Sequence, residues 1–344
     1  MSSTRRETLA DLPRLSGFKT LTQISVITAD IETTTSALER CLYPGHFKML
    51  TLDAPQLFHR TYSGEPSDWS AKVGLTWIGG IQLEIIQPMS GRTVYKDYLD
   101  RTGRQHGIEH IFLERDADSY EATLKRLSQA GYPLVQQAQM NAAGKLGIMP
   151  MPALPDVLAG KLATRFGYTR SFDALKIDLE VAKFPPGVTQ RLALRAAIPE
   201  RWIPEGAPHR FEDLPSDAFL ADLDGLGILC EDLDAVVAAF GKLVDRALQL
   251  ERYADDPWPG RGRMTRLGVG DVLLLLIQPD DGVLAERLAE HGEGVQLVRA
   301  RPTKVGLKGV QEALTTRGWA LLSRAPVVVA EHPEVPFLLW LERE

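Results

Sequence analysis

Between Gln23 and Thr28 the chain is rich in β-branched residues, which predicts a strand. Asp30 follows at a position suited to cap a helix, because its carboxylate can accept from free backbone N–H groups. A helical pattern then runs to about Leu42 and stops at Pro44-Gly45. Further strands are predicted near Phe47–Leu52, Lys72–Trp77 and Ile81–Gln87. The unit reads βαβββ. It restarts with a strand at Ile108–Leu113 and a helix over about Ser119–Ala130, which carries Tyr120, Leu124 and Leu127 on one face and ends at Gly131. Strands follow at Pro133–Gln137, around Leu146–Met149 and at Leu175–Ala182.

The pattern then repeats. Ile27-Thr28-Ala29-Asp30-Ile31-Glu32 is matched by Leu229-Cys230-Glu231-Asp232-Leu233-Asp234, and Ile85-Ile86-Gln87-Pro88 by Leu276-Ile277-Gln278-Pro279. A third unit starts near Leu223, with Leu233, Val236, Val237, Phe240, Leu243 and Val244 on its helix. A fourth starts near Val295, has a helix ending at Gly318 and closes with Phe337–Leu341. The expected class is α+β: four βαβββ modules paired into two domains, residues 18–184 and 218–344, each with a curved mixed sheet. Residues 185–217, rich in Pro and charge from Pro185 to Ser216, are expected to link them.

Composition narrows the function. A formal net charge of −6 gives no general basic face for phosphate, so no nucleic-acid partner is expected. Two cysteines, Cys41 and Cys230, are too few for a disulfide framework and read as buried apolar residues. Met1–Phe18 lacks the apolar core of a signal peptide, and the densest apolar run, Val272–Ile277, is too short to span a bilayer. A cytoplasmic protein without a membrane partner is expected. Homodimerisation is compatible with the sequence.

Four βαβββ units in two pairs resemble the vicinal-oxygen-chelate superfamily of glyoxalases, epimerases and related proteins. The wording closest to the epimerase-like branch is Val73-Gly74-Leu75-Thr76-Trp77, Ile81-Gln82-Leu83-Glu84-Ile85-Ile86-Gln87-Pro88 and Gly107-Ile108-Glu109-His110-Ile111. The resemblance implies one divalent metal held in the cup of a paired sheet. Carried over by position, the metal ligands are Gln23, Glu84, His110 and Asp178. Glu84 interrupts an apolar stretch, where a carboxylate needs wet surroundings or a partner that offsets its desolvation. One imidazole, two carboxylates and an amide suit Mg, Mn, Co, Ni or Zn. The matching positions of the second half, Gly225, Leu275, Leu297 and Trp340, cannot bind metal, so that domain is expected to be structural.

The resemblance further implies an epimerase, isomerase or lyase that removes a proton beside a carbonyl, with Glu65 as candidate base and Asp68 as second candidate. The substrate would be a small carbonyl or carboxylate compound. The alternative is a metal-free sequestering protein with Trp77 and Tyr62 lining its cup. A ring-cleaving dioxygenase is disfavoured, because the set holds a single histidine. His106 reads as a loop residue. The Pro-rich stretch from Met149 to Asp173 reads as a lid or a determinant of substrate size.

Overall fold

The computed structural model describes residues 9–42, 47–54, 57–116, 118–140, 163–185, 219–254, 259–303, 306–323 and 327–342. The first module holds β1 (Phe18–Thr28), α1 (Ile31–Leu42), β2 (Lys48–Leu52), β3 (Leu57–Tyr62), β4 (Glu65–Pro66), β5 (Ser70–Ile78) and β6 (Ile81–Ser90). Asp30 caps α1 as expected, its Oδ1 accepting from the Thr33 N–H at 3.1 Å. Ile31, Thr34, Thr35, Leu38, Cys41 and Leu42 form the buried stripe of that helix.

A helix that the sequence reading did not include, α2 (Val94–Thr102), leads into the second module. Its ends carry clear signals: the Thr93 side chain accepts from Lys96 N–H, and Gly103 closes the helix in the left-handed region. The module holds β7 (His106–Arg115), α3 (Tyr120–Gln129), β8 (Leu134–Met140), β9 (Thr164–Thr169), α4 (Phe172–Leu175) and β10 (Asp178–Lys183). The strand expected around Leu146–Met149 lies outside the described residues. Of the Met149–Asp173 stretch, the described part supplies β9 and the start of α4.

In each module the first strand runs parallel to the last, β1 with β6 and β7 with β10. Antiparallel β1–β7 pairing joins the two modules side by side. The β3–β4 hairpin, also absent from the sequence reading, reaches across so that β3 pairs with β8. The result is a curved, open mixed sheet with a concave inner face.

The second half repeats this plan with β11 (Leu220–Leu229), α5 (Leu233–Phe240), β12 (Glu251–Ala254), β13 (Arg261–Val269), β14 (Val272–Pro279), α6 (Gly282–His291), β15 (Gly294–Pro302), α7 (Gly306–Thr316), β16 (Ala320–Leu321), β17 (Val327–Glu331) and β18 (Leu338–Glu342). Here β11 lies parallel to β14, β15 parallel to β18, and β11 antiparallel to β15. Most of residues 185–217 lie outside the described part of the chain.

Alternation along the strands separates two apolar environments. One face of the first sheet sends Leu21, Val26, Leu83, Ile85, Ile111 and Leu179 into a cluster that continues into the second half through Leu226, Leu274, Val298 and Leu339. The concave face carries a second cluster with many aromatics, including Tyr62, Trp69, Tyr95, Phe112, Phe166 and Tyr168. Cys41 and Cys230 are both buried and free, as expected. No helix among the described residues is long and apolar enough to cross a membrane.

Candidate metal centre

Strand register assembles the polar floor of the first cup. Ser25 on β1 stands opposite Glu84 on β6 and opposite His110 on β7. His110 in turn stands opposite Asp178 on β10, and Phe112 opposite Glu180. From these strands, ligand atoms of Glu84, His110 and Glu180 come within 4.8 Å of one another. His110 Nε2 lies 3.6 Å from Glu84 Oε2 and 3.4 Å from Glu180 Oε2. The His110 side chain is 0% exposed, and those of Glu84 and Glu180 are 12% and 8% exposed. The Ser25 hydroxyl donates to Glu84 Oε2 at 2.7 Å and fixes that carboxylate.

A β-bulge adds a further carboxyl. On β7, His110 pairs with Ser25 while Ile108 pairs with the adjacent Val26, which leaves Glu109 as the extra residue. Two successive side chains can then approach on one side. Glu109 Oε2 lies 2.6 Å from His110 Nδ1, with both side chains fully buried. Asp178, opposite His110 in register, also adjoins Glu109. Its Oδ1 accepts from the backbone N–H groups of Ser171 and Phe172 at 2.6 and 2.7 Å and from Ser171 Oγ at 3.2 Å.

Burial governs the charges. The Asp178 carboxyl is raised well above the carboxylate range, first by desolvation and then by the neighbouring Glu109. Desolvation also raises Glu180, against the opposing pull of His110. For His110, burial opposes the charged form, but Glu109, Glu180 and Glu84 together hold the imidazole well above its usual range.

The donor set fits a divalent ion. Metal–donor distances of about 2.0 to 2.2 Å place neighbouring donors about 3 to 3.5 Å apart, close to the two separations at His110 Nε2. In the protein alone, His110 Nε2 and Glu180 Oε2 are buried without a hydrogen-bond partner. Such atoms are costly unless something pairs with them. The tautomer is also suitable, because Glu109 engages Nδ1 and leaves Nε2 facing the two carboxylates.

No protein-family model and no curated protein matches the sequence. Solved structures do match. A triple mutant of 4-hydroxymandelate synthase from Streptomyces coelicolor superposes over 94% of this chain and 92% of its own length, with a TM-score of 0.57 and 15% identity. This chain has the vicinal-oxygen-chelate fold. Methylmalonyl-CoA epimerase from Mycobacterium tuberculosis matches over 50% of this chain and 91% of its own, with a TM-score of 0.30 and 17% identity. A xylose isomerase-like TIM barrel/4-hydroxyphenylpyruvate dioxygenase fusion protein matches over 100% of this chain and 51% of its own, with a TM-score of 0.47 and 12% identity.

Within the vicinal-oxygen-chelate cup, the residues expected from sequence divide. Glu84 and His110 stand together. The third acidic donor beside them is Glu180, which the sequence reading did not select. Asp178 is two residues away on the same strand, and its Oδ1 is committed to the start of α4. Gln23 is buried on the inner face, opposite Gln82 and Phe112, one pleat from Ser25 and level with Glu180. Glu65 and Asp68 are exposed on and after the β3–β4 hairpin, where Asp68 pairs with Arg60 at 3.3 Å. Tyr62 belongs to the cup's aromatic cluster. Trp77, near the β5–β6 turn, is paired in register with Gln82. His106 sits half-buried at the start of β7, where burial and the nearby Arg287 and Arg104 depress its basicity.

The second vicinal-oxygen-chelate sheet shows the same positions filled by apolar groups. Gly227 opposes Leu275 and Leu297, as Ser25 opposes Glu84 and His110. Trp340 opposes Arg299, as Glu180 opposes Phe112. The Trp340 match therefore belongs to Glu180 rather than to Asp178, and Gly225 is the counterpart of Gln23.

Proposed function

We propose that this chain is a divalent-metal-dependent enzyme whose ligands are Glu84, His110 and Glu180, with Gln23 available for a further position. The observation that carries this reading is the convergence of three donors from three strands on one buried point, two of them with orphaned atoms facing each other. When bound, a divalent ion there would polarise a substrate carbonyl and ease loss of an adjacent proton.

The two glutamates are suited to different tasks. Glu84 is anchored by the Ser25 hydroxyl, so its role is to bind and stay. Glu180 offers the metal one carboxylate oxygen and keeps the other, so its role is to accept and return a proton. The exposed Glu65 and Asp68 are given no part in this scheme. The aromatic wall of Trp69, Tyr95, Phe166 and Tyr168 excludes water from the site. The reaction type proposed is epimerisation, isomerisation or elimination beside a carbonyl. A single histidine among the donors argues against an iron(II) facial triad, which uses two.

The test combines metal content with proton exchange. Purified protein should hold one equivalent of Mn, Co, Ni, Zn or Mg after loading, measured by mass spectrometry. Glu84→Ala and Glu180→Ala should each lose it, whereas Asp178→Asn should keep it. The loaded protein in D2O should wash deuterium into the position beside the carbonyl of a member of a small-carbonyl panel. A folded wild-type protein that binds no metal would end this reading and favour a metal-free sequestering protein.

A further inference from the structure

The metal accounts for only some of the unpartnered polar atoms in the cup. Gln82 is 0% exposed, and neither its Nε2 nor its Oε1 has a hydrogen-bond partner. It shares strand parity with Glu84 on β6, so it faces the same concave side, about 6.6 Å along the strand. Gln136, opposite Tyr62 and Tyr168 in register, spends Oε1 on the Val94 N–H at 2.9 Å and leaves Nε2 unpaired. Native interiors seldom leave so many donors and acceptors unused around one cup.

Charge points the same way. Two carboxylate ligands cancel a divalent ion, and the Glu109–Asp178 pair behind His110 supplies no positive charge. An anionic chelator would gain little Coulomb attraction from such a centre.

Building on the metal reading above, we infer that the substrate is an uncharged carbonyl compound, which offers a carboxamide-like group to Gln82. An amide facing an amide satisfies donor and acceptor at once, which neither a carboxylate nor an alkyl group can do. The second sheet shows what the position becomes without that duty. Gly225 opposes Leu273 there as Gln23 opposes Gln82, so leucine fits this place in the fold.

The probes are malamide, malate and lactamide, binding to the Mn2+-loaded protein and read by water-proton relaxation. Malamide carries a chelating hydroxyl–carbonyl pair and a distal carboxamide, malate is its diacid, and lactamide replaces the distal arm with a methyl group. Malamide should bind about tenfold more tightly than lactamide. Its preference over malate should exceed the preference shown by aqueous Mn2+. Gln82→Leu should keep Mn2+, lose the malamide advantage and melt a few degrees above the wild type without ligand, because an unpaired buried amide is gone. Equal binding of malamide and lactamide would overturn the inference, as would a malate preference at or above that of the free ion. A lower melting point for Gln82→Leu would overturn it as well, since the amide would then be serving the fold. Failure of the wild type to take up Mn2+ would instead strike the metal reading, and the melting comparison would still judge Gln82.

Discussion

Glu109 and His110 are neighbours in the chain, yet their side chains meet, with Oε2 and Nδ1 2.6 Å apart. Only a strand that bulges at this point brings two consecutive residues together on one side. The carboxylate orients the ring and keeps Nε2 toward Glu84 and Glu180. Glu109→Gln should therefore weaken metal binding about 10- to 100-fold while leaving one site per chain. Competition against a chelator of known affinity measures this, and unchanged affinity would remove Glu109 from the site's design.

The metal-free protein should lose stability as pH rises. Asp178 and His110 both have folded-state pKa values above their unfolded values. For a group raised in this way, the stabilisation is complete below the unfolded pKa and disappears as pH passes the folded one. For Asp178 the window opens near pH 4, and for His110 near pH 6.5. Melting temperatures of the chelator-treated protein should fall between mildly acidic and alkaline pH. Asp178→Asn keeps an oxygen for the Ser171 and Phe172 N–H groups and should flatten the acidic part of that fall. A fall as steep as that of the wild type would show that Asp178 is not its source.

Metal should reverse the trend. Bound at Nε2, an ion takes the place of a proton on His110, so binding releases protons and affinity should rise with pH through the neutral range. Calorimetry in two buffers of different ionisation enthalpy counts those protons. Zero release would contradict a protonated His110 in the metal-free cup.

Trp340 should matter to stability alone. Its side chain is fully buried where Glu180 stands in the first sheet. Trp340→Ala should cost about 3 to 5 kcal/mol in denaturant unfolding and leave metal stoichiometry at the first cup unchanged. Loss of metal from a folded Trp340→Ala protein would show that the second cup does more than fill space.

Much of the fold could be read from the chain because hydrophobic period and caps agree. The Asp30 cap, the end of α1 at Leu42 and the repeated Gln-Pro strand ends all appear where the sequence places them. The site was only partly readable. Glu84 and His110 stand out as polar residues inside apolar strands. Asp178 and Glu180 share one strand and one parity, so alternation cannot choose between them; their neighbours in three dimensions do. The better sequence clue was Trp340, whose counterpart in the first sheet is Glu180. The adjacent polar pair Glu109-His110, inside an apolar strand, was the visible trace of the bulge. Glu65 looked suitable by position, but its side chain is exposed on the β3–β4 hairpin, and no local pattern reveals that exposure.

The apolar cluster beneath the two sheets draws side chains from both halves, from Leu21 and Leu179 to Leu274 and Leu339, without a break. Neither half owns a complete interior. Severed at the segment between them, each piece would present an oily flank to solvent and clump. The intact chain should give a single calorimetric peak on heating, because the second half works as the other's inner wall.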